Sequence, residues 1–400
     1  MAKSFPKYTY DETLTEVRDV SDLISYISPT TVPLLALVNG GSDDKPNLAK
    51  ITATARKHEW GEKKLRPATS LLTGALDNSS TTVNVTAADG LHFTLGTLFK
   101  VDDEQFLVTT KGTSAGVVVA ARGQGGTTAA AHNNASVVRM IGRAHEEGTA
   151  APLDTYNSPT QPYNYVQEFL RQFSTSYIEQ HIQRYGKYIQ RLSDGRQDIT
   201  NVVKMLDAEA MIENLIDIEY QLIHGKRVEA AAGVPARFGG VLEFMDSGNI
   251  VALGGVSLAQ KDVNDLMETI FGKVGGGGKM PSVAMCDGRS KRILTKLFGN
   301  PVYPTTPEEG STAGLAVTNI TTDFGDLKVI ANVRYPTARI DFLSIDDISV
   351  GPLDGYGFRT EMLAKLGSYD SWQQLGAYTM EMDESVCHGS ISGFDTSVPL

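Results

Sequence analysis

The stretch from about residue 80 to 142 constrains the fold most, because it holds several short β-type runs and no helix of normal length. Gly- or Asp-containing turns separate these runs at close spacing, which is typical of a small all-β module. Helical patterns appear elsewhere, so the sequence indicates an α+β chain with a separate β part. The runs are residues 81–86, 92–95, 104–108, 117–119 and 137–141.

Residues 205–223 give the strongest helix pattern of the chain. Apolar residues recur there at spacings of three and four, which places them on one side of a helix. Five carboxylates with no Lys or Arg between them give this segment a local charge of −5 and predict an acidic outer face. They are Asp207, Glu209, Glu213, Asp217 and Glu219.

An α/β pattern follows this helix. Ser257 and Gln260 have capping-box spacing and predict a helix start, and that helix is expected to end at Gly275, Gly276, Gly277 and Gly278. A strand over 282–286 and a helix over 290–298 come next, then a strand-rich stretch over 327–350.

Composition excludes several classes of protein. The chain has 400 residues, 41% of them hydrophobic, which is enough for two or three domains with a buried core. Its net charge of −11 disfavours a general DNA-binding surface. Cys286 and Cys387 lie far apart and are expected to be reduced and buried. The polar N-terminus does not resemble a signal peptide, and no apolar run predicts a membrane-spanning helix.

Two segments near the N-terminus stand apart in composition. Residues 32–38 are apolar within a polar leader, and we expect this leader to extend over another surface because it cannot form its own core. Residues 50–66 are basic, with six cations against Glu59 and Glu62, a local charge of +4. The cations are Lys50, Arg56, Lys57, Lys63, Lys64 and Arg66.

Catalytic and ligand-binding motifs are weak. Residues 112–116 match G-x-S-x-G, but β-type runs on both sides favour a hairpin turn over a nucleophile elbow at Ser114. Residues 272–279 lack the spacing of a phosphate loop and follow a helix. The seven histidines do not occur at metal-ligand spacing, and the acidic runs 102–104 and 346–347 lack the pattern of a calcium loop. The sequence therefore predicts no enzyme, no cofactor and no metal site.

The order of these parts resembles the major capsid proteins of tailed bacteriophages, in the subgroup with a β insertion in an extended loop. The most specific residues are Arg122-Gly123, Gly126 to His132 and the closing Gly142 to Gly148. Supporting residues are Asn164 to Gln167, Tyr185-Gly186, Phe324 to Val329, Leu343 to Asp346, Leu363 to Gly367 and Glu381 to Ile391.

This resemblance implies a Hong Kong 97-type fold and a shell protein of the virion, assembled in the host cytoplasm as hexamers and pentamers around double-stranded DNA. The implied partners are other copies of the chain, a portal protein, a separate scaffolding protein and a decoration protein, with no membrane. The implied parts are an N-terminal arm (1–45), an extended loop (46–162, with its insertion at about 80–142), a peripheral domain with a long spine helix (163–236), an axial domain (237–340) and a return to the peripheral domain (341–400).

The opposite charges of two segments suggest how copies would meet. We expect Arg56, Lys57, Lys63, Lys64 and Arg66 of one subunit to lie over the acidic helix of its neighbour, where charge would set register more than affinity. We also expect the four glycines to form a flexible axial loop that adapts to five-fold and six-fold rings. Two other functions remain open at this stage: an encapsulin-like nanocompartment shell, and a serine hydrolase using Ser114.

Overall fold

The computed structural model describes most of the chain. The described residues are 23–24, 32–42, 45–63, 66–148, 160–182, 187–192, 195–199, 202–274, 279–298, 318–365 and 367–397.

Helices occupy a smaller share of these residues than strands. The longest corresponds to the predicted acidic helix and extends it at both ends. The helices are α1 (Pro33–Asn39), α2 (Tyr177–His181), α3 (Val202–His224), α4 (Val241–Phe244), α5 (Gln260–Val274) and α6 (Gly288–Leu297).

Most strands of the chain are short. In chain order they are β1 (Leu23–Ile24), β2 (Gly41–Ser42), β3 (Lys45–Pro46), β4 (Lys57–Glu59), β5 (Thr69–Leu71), β6 (Thr82–Asn84), β7 (Thr97–Val101), β8 (Glu104–Thr110), β9 (Val117–Ala121), β10 (Val137–Arg143), β11 (Tyr163–Tyr165), β12 (Gln167–Ser176), β13 (Lys187–Leu192), β14 (Gly195–Ile199), β15 (Ile250–Ala252), β16 (Val283–Cys286), β17 (Thr318–Thr322), β18 (Gly325–Ala331), β19 (Arg339–Leu343), β20 (Ile348–Pro352), β21 (Arg359–Met362), β22 (Tyr369–Met382) and β23 (Gly389–Ser392).

The chain divides into two compact units. We call Met1–Glu59 with Tyr163–Leu400 the body, and Trp60–Pro162 the β module. The β module corresponds in position to the expected extended loop, although that loop was predicted to start at residue 46. The finer arm, peripheral and axial boundaries remain predictions.

A six-stranded sheet forms one core of the body, in the order β15-β23-β19-β16-β18-β17. Strand β16 is buried at all of its residues, because both faces of the sheet are covered. Its Ala284 and Cys286 face a cluster that includes residues of α5 and α6, whereas Val283 and Met285 belong to a cluster that includes residues of α3. Both cysteines of the chain are free and buried, as expected.

A second sheet of the body supports α3. It has the order β12-β22-β20, with β21 pairing β22 as well. Strands β12 and β22 pair antiparallel over ten residues, from Gln167 opposite Tyr378 to Ser176 opposite Tyr369. Helix α3 packs on this sheet through Leu215, Ile218 and Leu222, which share a core with Phe169 and Tyr378.

The β module contains a sheet in the order β5-β10-β7-β8-β9-β6. Its strands alternate between buried and partly exposed residues, as in β7 and β9, so one face forms the core and the other meets solvent. The core includes Phe93, Phe99 and Phe106, and the last two stack at 4.8 Å between ring centroids.

Four of the five β-type runs predicted for this region coincide with strands. The exception is 92–95, which lies at the end of a 3₁₀ turn over Ala87–His92, with β7 beginning only at Thr97. Phe93 and Thr94 are buried all the same, so the burial of this run reflects packing against the sheet and not pairing within it.

Two expectations for the body are wrong. The apolar residues 32–38 do not extend over another surface, because α1 is buried in the core of the same chain beside α3. Ser257 does not begin α5, which starts at Gln260; the Asp262 carboxylate accepts a hydrogen bond from the Ala259 N–H at 2.8 Å instead.

Candidate functional site

The predicted basic surface is divided between the two units. Arg56 and Lys57 belong to the body, and Lys63 and Arg66 lie exposed in the β module. Lys64 lies outside the described residues. Lys50 is exposed, but its ammonium donates to the carbonyl oxygens of Ile348 and Val38 of the same chain at 2.6 and 3.1 Å.

The two body cations have partners within their own chain. Arg56 lies 3.4 Å from the Glu229 carboxylate, in a pair whose side chains are both more than half exposed. Lys57 pairs with Glu59 and places its ammonium 4.1 Å from the centre of the Tyr163 ring. Exposed pairs of this kind contribute about 0–1 kcal/mol each, so an intersubunit contact could replace them at little cost.

The acidic residues of α3 also have partners within the chain. Arg171 on β12 donates to Glu213 and Asp217 at 2.5 and 2.6 Å. Asp207 accepts hydrogen bonds from Thr360 and Gln374 at 2.5 and 3.1 Å. Because one Arg171 cation faces two half-exposed carboxylates, this part of α3 keeps a negative charge at its surface.

Glu219, which contributes to the local charge of α3, does not lie on the outer face of the helix. Its side chain is fully buried, and its two oxygens accept the Leu34 and Leu35 N–H groups at 2.9 Å each. The Asn332 amide donates to the same carboxylate at 2.6 Å. Burial raises the pKa of Glu219, although these hydrogen bonds act in the opposite direction.

This contact explains why α1 lies in the core. The first N–H groups of a helix have no partner within the helix, and Pro33 at its start leaves the next two amides pointing outward. Glu219 satisfies both from another helix, so α1 is fixed to α3 by a buried carboxylate as well as by apolar contact.

Gly275, Gly276, Gly277 and Gly278 lie outside the described residues, directly after the end of α5 at Val274. Their role as a flexible loop therefore stays a prediction.

Ser114 lies in the turn of the β8–β9 hairpin. The turn is closed by hydrogen bonds between the backbones of Thr113 and Val117 and of Gly116 and Thr113, both at 3.0 Å. Strands flank it on both sides, and Ser114 is exposed. The strand–turn–helix geometry of a nucleophile elbow is therefore not formed here.

The sequence did not reveal a buried polar network in the β module. Arg122 donates to both oxygens of Glu104 at 2.9 and 2.7 Å, and His132 contacts Glu104 at 3.0 Å and Asp102 at 2.7 Å. The Ala130 N–H donates to the same carboxylate at 3.0 Å. Burial opposes ionisation of Glu104, but the hydrogen bonds from Arg122, Ala130 and His132 outweigh it and lower its pKa to about 2.

This network fixes the long segment from Arg122 to His132 onto the β7–β8 turn. The many Gly and Ala residues of that segment provide little side-chain packing. The hydrogen bonds to Glu104 therefore hold this segment in place where apolar contacts are few.

Asp347, Glu384 and Cys387 form the most compact set of metal-ligand atoms among the described residues, all within 4.8 Å of one another. The set is a poor metal site. The Lys279 ammonium already pairs with Asp347. Burial and a hydrogen bond to Glu384 raise the pKa of Cys387 to about 12, so the thiol keeps its proton.

Among the described residues, every helix is too short or too polar to cross a lipid bilayer.

Comparison with known proteins gives one match to a protein family. Residues 6–395 match the family model described as SU10 major capsid protein. No curated protein matches the sequence.

Three solved structures are similar to the chain at low sequence identity, and the first of them shows the fold. The capsid of a native GTA particle, computed with C5 symmetry, has a TM-score of 0.54 at 9% identity, covering 98% of this chain and 100% of its own. A chain of Microbacterium phage Oxtober96 has a TM-score of 0.43 at 12% identity, covering 94% and 96%. The holo-SrpI encapsulin complex of Synechococcus elongatus PCC 7942 has a TM-score of 0.42 at 10% identity, covering 61% and 80%.

Proposed function

The chain belongs to the SU10 major capsid protein family, and we propose that its copies assemble as hexamers and pentamers into an icosahedral shell that encloses double-stranded DNA. The family match over nearly the whole chain carries this proposal, and it makes the protein a structural component of a bacteriophage virion with a Hong Kong 97-type fold. The exposed turn around Ser114 gives no support to the hydrolase alternative.

Surface chemistry supports contacts between copies. The β module exposes Leu71 and Val137 side by side on paired strands, each with nearly half of its surface in solvent. Ile141, further along the same strand as Val137, is also about half exposed. Apolar side chains grouped in this way are unusual on an isolated soluble protein and are covered when subunits meet.

The proposed register of neighbouring subunits depends on charge. The exposed Lys63 and Arg66 of one β module lie over the surface of the neighbour's α3, where Asp207, Glu209, Glu213 and Asp217 outnumber Arg171. Glu219 takes no part, because it is buried. Exposed charge pairs contribute little affinity, so their role is to select one register among several.

A shell that is filled with DNA through one vertex would need other protein partners. A portal protein would replace one pentamer, a separate scaffolding protein would guide assembly, and a decoration protein would bind the outside. The glycines at 275–278 would let one sequence fit both kinds of ring.

Electron microscopy of the purified, expressed chain tests the proposal, with and without a co-expressed scaffolding protein. Closed icosahedral particles are expected. A chain that stays monomeric under both conditions contradicts the proposal. If particles formed in cells that make the complete phage enclose a protein cargo and contain no DNA, the nanocompartment interpretation would be favoured.

Charge reversal tests the register. Lys63→Glu with Arg66→Glu should reduce the yield of closed particles several-fold while circular dichroism of the free subunit stays unchanged. Lys111→Glu is the matched control, because Lys111 is another exposed cation of the β module. Restoration of assembly by Glu209→Lys would identify the partner helix, and equal yields for all variants would refute the contact.

A further inference from the structure

Helix α6 is strongly basic in a chain that is acidic overall. Residues 288–298 contain four cations and no carboxylate, against a net charge of −11 for the whole chain. The helix packs its apolar side, Ile293 and Leu294, into the core beneath the body sheet. Its remaining surface is therefore a concentrated positive patch.

Three of the cations form a row. Arg289, Arg292 and Lys296 follow one another at spacings of three and four residues, which places them along one side of a helix over about 10 Å. Arg292 and Lys296 are exposed, and the Arg289 guanidinium is partly covered because it donates to the Thr396 carbonyl at 2.9 Å.

Helix stability explains Lys296, which lies in the last turn of α6, but not Arg289 or Arg292. Cations stabilise the carboxyl end of a helix and destabilise the amino end, yet Arg289 and Arg292 lie in the first half of α6. Asp287 caps that end through the Arg289 and Ser290 N–H groups at 3.3 and 3.0 Å, so its carboxylate is already engaged by the backbone.

The chemistry of the row favours nucleic acid over a protein partner. None of the large hydrophobic side chains that the described residues expose lies on α6. Protein–protein contacts have an apolar centre, whereas contacts with DNA are polar and rich in positive charge. Phosphates recur at about 3.4 Å of rise along each DNA strand, so a row of about 10 Å spans several of them.

We propose that Arg289, Arg292 and Lys296 bind the phosphate backbone of the enclosed double-stranded DNA without sequence preference, and that α6 therefore faces the interior of the shell. This inference rests on the proposed function as a DNA-filled shell. It adds a surface that contacts the contents and an orientation for the body sheet. With only a few such contacts per subunit, the binding of DNA stays weak, because the net negative charge of the chain repels DNA.

Duplex binding by the purified, unassembled chain is the first test. The probe is a fluorescent 20-base-pair duplex of arbitrary sequence, titrated at several salt concentrations. Arg292→Gln with Lys296→Gln should make the negative slope of log K against log salt shallower by about 2, since each lost phosphate contact reduces its magnitude by about 1. Arg289 is left unchanged because it also contacts the backbone at Thr396.

Lys261→Gln is the matched control, because Lys261 is a highly exposed cation on the neighbouring helix α5. Its slope should equal that of the unmodified chain. Equal slopes for all three proteins, or no measurable binding by the unmodified chain, would overturn the proposal. Normal duplex binding with defective assembly in the double variant would assign the row to a protein partner instead.

Labelling of assembled particles tests the orientation. Arg292→Cys should react with a bulky polymer maleimide in the free subunit but not in closed shells, and with a small maleimide in empty shells more than in DNA-filled ones. The native thiols give little background because both are buried. Reaction of closed shells with the bulky reagent would place α6 outside and overturn the proposal. Absence of particles would instead count against the proposed function, and the duplex measurement would remain interpretable.

Discussion

The six-stranded sheet of the body, called the body sheet here, and the sheet of the β module are stabilised in different ways. The body sheet buries both faces, so β16 and β19 are buried along their whole lengths, and β16 has apolar contacts on both sides. The module sheet buries one face, and its longest connection is held by the Glu104 carboxylate. Burial on two sides tolerates few polar groups, whereas burial on one side leaves room for a polar network to order a loop.

Each sheet nevertheless contains one buried ion pair. In the body, Arg339 donates to Asp341, which also accepts from Tyr335 at 3.0 Å and Ser390 at 2.7 Å. In the module, Arg122 and His132 contact Glu104. The two tryptophans report on the units separately, because Trp60 belongs to the module and Trp372 to the body.

The largest expected effect comes from Asp341→Ala. The variant leaves Arg339 buried without its carboxylate, which should lower the free energy of unfolding by about 3–5 kcal/mol. Urea unfolding followed by Trp372 fluorescence in a Trp60→Phe background measures it. Asp326→Ala, an exposed carboxylate of the same sheet, should change stability by less than about 0.5 kcal/mol. A loss below about 1 kcal/mol for Asp341→Ala would show that this pair does not matter to the sheet.

Acid should affect the two units in different pH ranges. Burial lowers the pKa of His388 from 6.5 to about 4, so its contribution to the body is complete above pH 6.5 and is lost as pH falls towards 4. The pKa of Glu104 is lowered from 4.5 to about 2, so its contribution to the module is complete above pH 4.5 and is lost as pH falls towards 2. Each amounts to about 3 kcal/mol at most.

Urea unfolding between pH 7 and 3, read separately by Trp372 and Trp60, measures this difference. The body should weaken first on acidification, and His388→Gln should remove most of its dependence between pH 6.5 and 4. Simultaneous weakening of both probes, or an unchanged profile in His388→Gln, would contradict the assignment.

A smaller effect is expected from Glu104→Gln. The amide keeps the shape but removes the charge that Arg122 and His132 share, which should cost about 1–3 kcal/mol in the Trp60 signal. Amide exchange in residues 123–131 should accelerate with it. Asp103→Asn, at a fully exposed neighbouring carboxylate, is the control. If both variants match the unmodified chain, the network does not hold the loop.

The smallest effect is expected at Ser114. Because it lies exposed in a hairpin turn, Ser114→Ala should change stability by less than about 0.5 kcal/mol and leave particle yield unchanged. Turnover of an ester substrate by the purified chain that disappears in this variant would revive the hydrolase interpretation.

Much of the fold was predictable because local patterns agreed with packing. The periodicity of α3 and the alternation in β8, β9 and β10 follow directly from which residues are buried. The run 92–95 misled because Phe93 and Thr94, which follow the 3₁₀ turn, are buried without being paired in a strand.

The burial of Glu219 could have been predicted from its position in the sequence. Glu219 follows Leu215 by four residues and precedes Leu222 and Ile223 by three and four, so it shares their apolar face. A carboxylate at such a position must have partners, but its partners are backbone amides of α1, more than 180 residues away in the chain. No local pattern encodes them. The Glu104 network is similar, since its members come from separate turns.

The hydrogen bonds between α1 and Glu219 connect the start of α1 mechanically to α3. A force on the chain before Pro33 would be transmitted through two hydrogen bonds to Glu219, in the carboxyl half of α3. Nearby on the same helix, the Ile223 carbonyl accepts a hydrogen bond from Arg339 of the body sheet. Tension applied to the chain before α1 would thus load α3 and the six-stranded sheet of the body together.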